Sequence, residues 1–161
     1  MVNSIEGVGN APEQGRWHVS VRTTESAEKV IEIPTDIRDA MVAHAEAGLP
    51  NEACGLLAGR DGRAELFIPM SNADDSPITY RLDSKEQLRA FNDMEANGLG
   101  LLGIFHSHTH TEAYPSETDR RQAFYPEAHY LLISLSDRTD PVVRGFSIQG
   151  GLVEEQEVRI V

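Results

Sequence analysis

Apolar residues along this chain recur in two periods, and the switches between them mark its elements. WHVSVRT (17–23) alternates as a short strand does, and KVIEIP (29–34) does so more clearly. At Thr35, a residue type suited to a helix N-cap, the spacing changes. Ile37, Met41 and Ala45 repeat every four residues, which predicts a helix over TDIRDAMVAHAEAG ended by Gly48. ACGLLAGR (53–60) is an apolar run, and Asp61-Gly62 signals a tight turn into RAELFIPMSN. ITYRLD (78–83) reads as a short extended segment. Ser84 is placed to cap a helix over SKEQLRAFNDMEANG, with Leu88, Phe91 and Met94 on one face. LGLLGIFHSH (99–108) and HYLLISLS (129–136) read as buried strands. SETDRRQAF predicts a short helix between them, and VVRGFSIQGGLVEEQEVRIV a closing hairpin.

The order strand, helix, strand, strand, helix, strand, helix, strand, strand, strand mixes helical with hairpin connections. The fold class expected is therefore α/β (α+β), a mixed β-sheet flanked by helices. At 161 residues, with no internal repeat and no linker, one domain over 29–161 is expected. Residues 1–28 are expected to be an N-terminal extension, partly flexible because 1–16 are weakly apolar and contain Gly, Asn and Pro.

Composition narrows the function classes. Apolar residues make up 40% and charged residues 25%, as in an ordinary globular chain. No run approaches the roughly 18 apolar residues of a membrane span, and MVNSIEGVGNAPEQGR lacks the basic start and apolar stretch of a secretory signal. The expected location is cytoplasmic, and the single Cys54 fits a reducing compartment. A net charge of −12 argues against a nucleic-acid partner and would suit a partner with a basic patch, although solubility is the plainer explanation.

Chemistry concentrates in GIFHSHTHTEAYPSETD (103–119). On a strand, His106 and His108 point to one side, about 7 Å apart along the chain, where the strand leaves the core. Two neutral imidazoles suit a borderline cation such as Zn²⁺, which takes four ligands and in catalytic sites leaves one to water. Asp119, in the first turn of the following helix, is the candidate third ligand. Ser116-x-x-Asp119 also satisfies the capping-box pattern, a purely structural role that can coexist with ligation. Glu112 and Glu117 are the nearest carboxylates to serve as a base.

The spacing HSH-x7-S-x2-D resembles the signature of the JAMM (MPN+) metalloproteases, and PNEACGLLAG (50–59) resembles the upstream segment that carries their glutamate. IPMSNADDSPITYRLDSKEQL is further similar to the Mec-type peptidases of that family, which act on a sulfur carrier protein. The resemblance covers roughly 29–161 and implies a JAMM/MPN, cytidine-deaminase-like fold. It implies Zn²⁺ held by His106, His108 and Asp119, with Glu52 as general base and then acid, and Ser116 as oxyanion donor. The implied substrate is a ubiquitin-like or sulfur carrier protein ending in Gly-Gly, joined by an amide to cysteine. An isopeptidase that removes such a modifier from lysines, and an inactive MPN scaffold, are the alternatives. ITYRLD would be the edge strand that the tail joins. Thr109 stands where many members have proline, as it does in the Mec type. His110 is expected on an exposed loop, Cys54 in the core, and His44 half-exposed on its helix. His18 and His129 match no motif.

Overall fold

A computed structural model of the chain describes residues 30–161. The expected strand over 17–23, His18 and the extension 1–28 lie outside these residues. Ten elements follow in the expected order: β1 (Val30–Ile33), α1 (Thr35–Gly48), β2 (Cys54–Arg60), β3 (Arg63–Met70), α2 (Ser84–Ala96), β4 (Gly100–His108), α3 (Glu117–Arg121), β5 (His129–Ser134), β6 (Val142–Gln149) and β7 (Leu152–Ile160). No helix among them is long and apolar enough to cross a membrane.

The sheet is mixed and runs β1-β3-β2-β4-β5-β6-β7. Asp61 and Gly62 both have positive φ, 50° and 75°, the type I′ geometry that matches the twist of β2 and β3. β4 is antiparallel to β2 and parallel to β5. β1 lies parallel to both β7 and β3, so the sheet closes into a barrel, a feature that hydrophobic periodicity does not encode.

β4 organises the interior. Ile104 packs with Cys54, Leu56, Leu132 and, from α2, Met94. Its neighbour Phe105 turns the other way, into a cluster with Leu57, Leu131, Ile133 and Met41 of α1. Burying a phenylalanine fully, as here, stabilises by roughly 2–3 kcal/mol. Beyond these anchors the strand's next alternate residues are His106 and His108, on the face of Ile104.

Several local expectations are corrected. No named strand forms over 78–83; only an isolated bridge joins Leu82 to Asn72. This segment is held instead by side-chain bonds, so ITYRLD offers no regular strand edge to an incoming tail. Thr35 does not cap α1: Pro34 occupies the N-cap, and Thr35 N and Oγ1 donate to Val161 O at 2.9 and 3.2 Å. α2 is capped by Asp83, whose carboxylate accepts from Lys85 N and Glu86 N, both at 3.0 Å, rather than by Ser84. Ala90 and Met94 are its buried residues, while Leu88 is 49% exposed.

Candidate functional site

The alternation of β4 delivers the two imidazoles side by side, with Nε2 of His106 and of His108 3.2 Å apart. Asp119 reaches them from α3. The helix starts in a full capping box: Ser116 Oγ accepts from Asp119 N at 3.1 Å, and Ser116 N donates to Asp119 Oδ2 at 2.8 Å. The same Oδ2 lies 3.2 Å from His106 Nε2 and 3.1 Å from His108 Nε2. The cap and the cluster are thus one arrangement, because the bond that starts the helix also aims the carboxylate.

These three atoms form a nearly equilateral triangle. A four-coordinate cation bound at about 2.0–2.1 Å would hold its ligands roughly 3.3 Å apart, close to the observed edges. The protonation pattern fits as well. His108 Nδ1 faces Glu112 O at 2.7 Å, and a carbonyl only accepts, so Nδ1 carries the hydrogen. In the neutral ring this leaves the Nε2 lone pair facing the centre. Two imidazole nitrogens and a carboxylate oxygen, all buried, form a donor set that calls for a positive ion.

The electrostatics separate the groups. Burial holds the His106 pKa below its ordinary value, against the pull of Asp119, so this ring stays neutral. Burial acts downward on His108 too. There the hydrogen bonds with Asp119 and the Glu112 carbonyl, and the charges of Asp119 and Glu52, prevail and raise it. Burial would lift Asp119, yet its bonds with the two imidazoles and Ser116 N–H hold it well below the usual carboxylate range.

Glu52 sits just ahead of β2, not within it, and is 5% exposed. Its backbone is fixed from both sides: Glu52 N donates to Ser76 O at 2.9 Å, and Glu52 O accepts from Asn72 Nδ2 at 3.0 Å. Ala53 N donates to Ser107 Oγ at 2.8 Å, which locks this turn onto β4 between the histidines. Burial pushes the carboxyl up to about 8; the charge of His108 opposes this and that of Asp119 adds to it. Among the described residues Oε2 has no hydrogen-bond partner. A buried carboxylate oxygen without a partner, electrically coupled to the triad, is a group with proton affinity to use.

Ser116 is exposed and uses its oxygen to accept from Asp119 N, which leaves its O–H to donate outward. Glu112 and Glu117 lie exposed on the surface, paired with Arg144 and Arg121, so neither competes with Glu52 for the buried position. His110 is exposed. Cys54 is fully buried, and burial pushes its thiol up to about 12, which makes it an inert core residue. Two further contacts, of Tyr80 and of His44, carry no motif in the sequence. Tyr80 stacks on His106 with ring centroids 4.2 Å apart. His44 reaches from α1 to within 2.9 Å of Cys54 O and 3.3 Å of Met70 O, so its Nε2 donates to a strand carbonyl. His129 meets Gln156 Oε1.

Comparison with known proteins bears on this arrangement. The family described as prokaryotic homologs of the JAB domain matches residues 34–147. Over 134 residues the chain is 48% identical to the CysO-cysteine peptidase of Mycobacterium tuberculosis, covering 82% of this chain and 92% of that protein. It is 35% identical over 115 residues to the desampylase of Haloferax volcanii, covering 67% and 83% respectively. The solution structure of protein DSY2949 from Desulfitobacterium hafniense superposes with a TM-score of 0.76 at 44% identity, covering 81% of this chain and 92% of that one.

Proposed function

The chain belongs to the prokaryotic JAB-domain branch of the JAMM metallopeptidases, and from that premise we propose that residues 29–161 act as one zinc peptidase domain. Its substrate is a ubiquitin-like sulfur carrier, and it hydrolyses the amide between the carrier's C-terminal Gly-Gly and cysteine. The convergence of His106 Nε2, His108 Nε2 and Asp119 Oδ2 within 3.2 Å, beside the buried Glu52, is the observation that carries this proposal. The similarity to a CysO-cysteine peptidase supports the choice of carrier and leaving group. The free, buried Cys54 is compatible with a reducing cytoplasm as the place of reaction.

His106, His108 and Asp119 would hold the zinc ion, which supplies Lewis acidity when bound, lowering the pKa of water and polarising a carbonyl oxygen. Glu52 accepts a proton from the attacking water at its carboxyl oxygen. As the carbonyl carbon gains its new C–O bond and the C–N bond breaks, Glu52 passes that proton to the departing cysteine nitrogen. The products are the carrier's carboxylate and free cysteine. Ser116 Oγ–H donates to the carbonyl oxygen as charge builds on it. Burial of Glu52, 5% exposed and held at its backbone by the 72–82 segment, keeps its proton affinity high.

Two substrates test this directly: a Gly-Gly carrier joined to cysteine, and the same carrier joined to a lysine side chain of a folded protein. Release of cysteine with the lysine conjugate left largely intact is expected. Preferential cutting of the lysine conjugate would make the protein an isopeptidase instead. Cleavage of neither, by zinc-loaded chain, would remove the proposal.

A further inference from the structure

Of the two histidines, only His108 has its far ring nitrogen, Nδ1, hydrogen-bonded among the described residues. His108 Nδ1 donates to Glu112 O, and the loop bearing that carbonyl is itself tied down, since Ser134 Oγ donates to Thr111 O at 2.6 Å. His106 is 1% exposed, and its Nδ1 meets no partner among the described residues. A ligating imidazole ordinarily has its far nitrogen anchored, which fixes both tautomer and orientation. At His106 a different device occupies that place. The ring of Tyr80 lies flat against the imidazole, 4.2 Å between centroids and 16° between planes.

We infer that Tyr80 is the positioning residue for His106, its ring doing by stacking what a hydrogen bond does for His108. With Nδ1 unanchored, rotation about the Cβ–Cγ bond would swing Nε2 off the centre it shares with His108 Nε2 and Asp119 Oδ2. A flat ring at van der Waals distance blocks that rotation, because any turn drives the imidazole edge into the phenol face.

Tyr80 is held well enough to do this. It belongs to the 72–82 segment, which Asn72 closes on itself: Asn72 Nδ2 donates to Thr79 O at 2.9 Å and its Oδ1 accepts from Arg81 N at 3.1 Å, while Ala73 N donates to Arg81 O at 2.8 Å. The residues on either side of Tyr80 are therefore both fastened to one side chain. The same segment grips Glu52 through Ser76 O and Asn72 Nδ2, and accepts from Thr109 Oγ1 at Pro77 O, 3.3 Å away. One strap thus sets the Glu52 carboxyl and the His106 ring in a common frame. Removing the Tyr80 ring frees the histidine while leaving the bonds to Glu52 in place.

This inference rests on His106 as a metal ligand, and not on any substrate, so its test uses the metal alone. Chelator-stripped full-length chain is titrated with Zn²⁺ and Co²⁺ against a competing chelator, as wild type, Tyr80→Phe and Tyr80→Leu. Tyr80→Phe should bind like wild type, because the ring and not the hydroxyl does the positioning. Tyr80→Leu should bind about 10- to 100-fold more weakly, the usual cost of losing a residue that orients a ligand, and the visible spectrum of its Co²⁺ form should change. Wild-type affinity and spectrum in Tyr80→Leu would overturn the inference, as would an equal loss in Tyr80→Phe. Should Tyr80→Leu fail to fold, proton spectra of the wild type decide. The His106 ring protons must be shifted upfield by the Tyr80 ring current, and unshifted signals would overturn it. Chain that responds as described yet cleaves no carrier conjugate would sink the proposed function and leave the role of Tyr80 intact. Chain that binds neither metal would sink both.

Discussion

Glu52 and Asp119 are two buried carboxylates in one site with opposite proton economies. Bonds with the two imidazoles and Ser116 N–H keep Asp119 ionised, whereas burial pushes Glu52 up to about 8 and leaves one of its oxygens without a partner among the described residues. Environment separates the two carboxylates as the proposed roles, an acid–base group beside an anionic ligand, would require. Replacing Glu52 by Gln should lower turnover by at least about 10²–10⁴ while the metal content stays near one per chain. Loss of metal, or activity close to wild type, would reassign it. The pH dependence of the metal-free chain is a second check. Folding raises the Glu52 pKa from 4.5 to about 8, so folding favours the protonated form. Its contribution is complete below the unfolded value and is lost as pH rises through the folded one. Between pH 5 and 8 the metal-free wild type should lose stability on the order of a few kcal/mol from this group, and Glu52→Gln should not. Urea unfolding of both proteins at the two pH values measures this. Ser116 caps α3, and the proposed mechanism gives it an oxyanion contact as well, so Ser116→Ala should show a loss of about 1 kcal/mol for the missing cap and a rate reduced by about 10²–10³.

At the scale of elements, what periodicity and turn chemistry govern was legible in the sequence. The order of strands and helices, the Asp61-Gly62 hairpin, and the common side of His106 and His108 all follow from side-chain alternation and φ preferences. The capping-box spacing of Ser116 and Asp119 was legible too, though the sequence could not say that one oxygen would serve both the helix and the cluster. ITYRLD (78–83), expected as a short extended edge, forms no strand, and all but its last residue lies instead in the 72–82 segment. Its shape comes from Asn72, a single side chain bonding to backbone groups up to nine residues ahead, and such bonds leave no period to detect. For the same reason Tyr80 went unnoticed, since a stacking partner twenty-six positions from His106 has no local signature. The cap of α2 was misplaced by one residue because Asp83 and Ser84 are both good N-cap types. Asp83→Ala should cost about 1 kcal/mol in chemical denaturation, and Ser84→Ala within a few tenths of nothing; equal costs would contradict the assignment.

At the scale of the molecule, closure of the barrel through β1 and the packing of Phe105, Leu131 and Ile133 under β4 make a rigid floor for the site. The walls are added by the strap, the 109–116 loop and α3, each tied to a different part of the chain. His106 and His108 from β4 thus meet Asp119 from α3, so no one stretch holds the cluster alone, which is why the family signature is split along the sequence. What unites them is a single centre, and it can be located directly. Crystals of the full chain loaded with zinc, with anomalous scattering recorded at the zinc edge, should give one peak about 2.0–2.1 Å from His106 Nε2, His108 Nε2 and Asp119 Oδ2. Ordered side chains with no peak among those three atoms, or zinc bound elsewhere on the chain, would contradict the account.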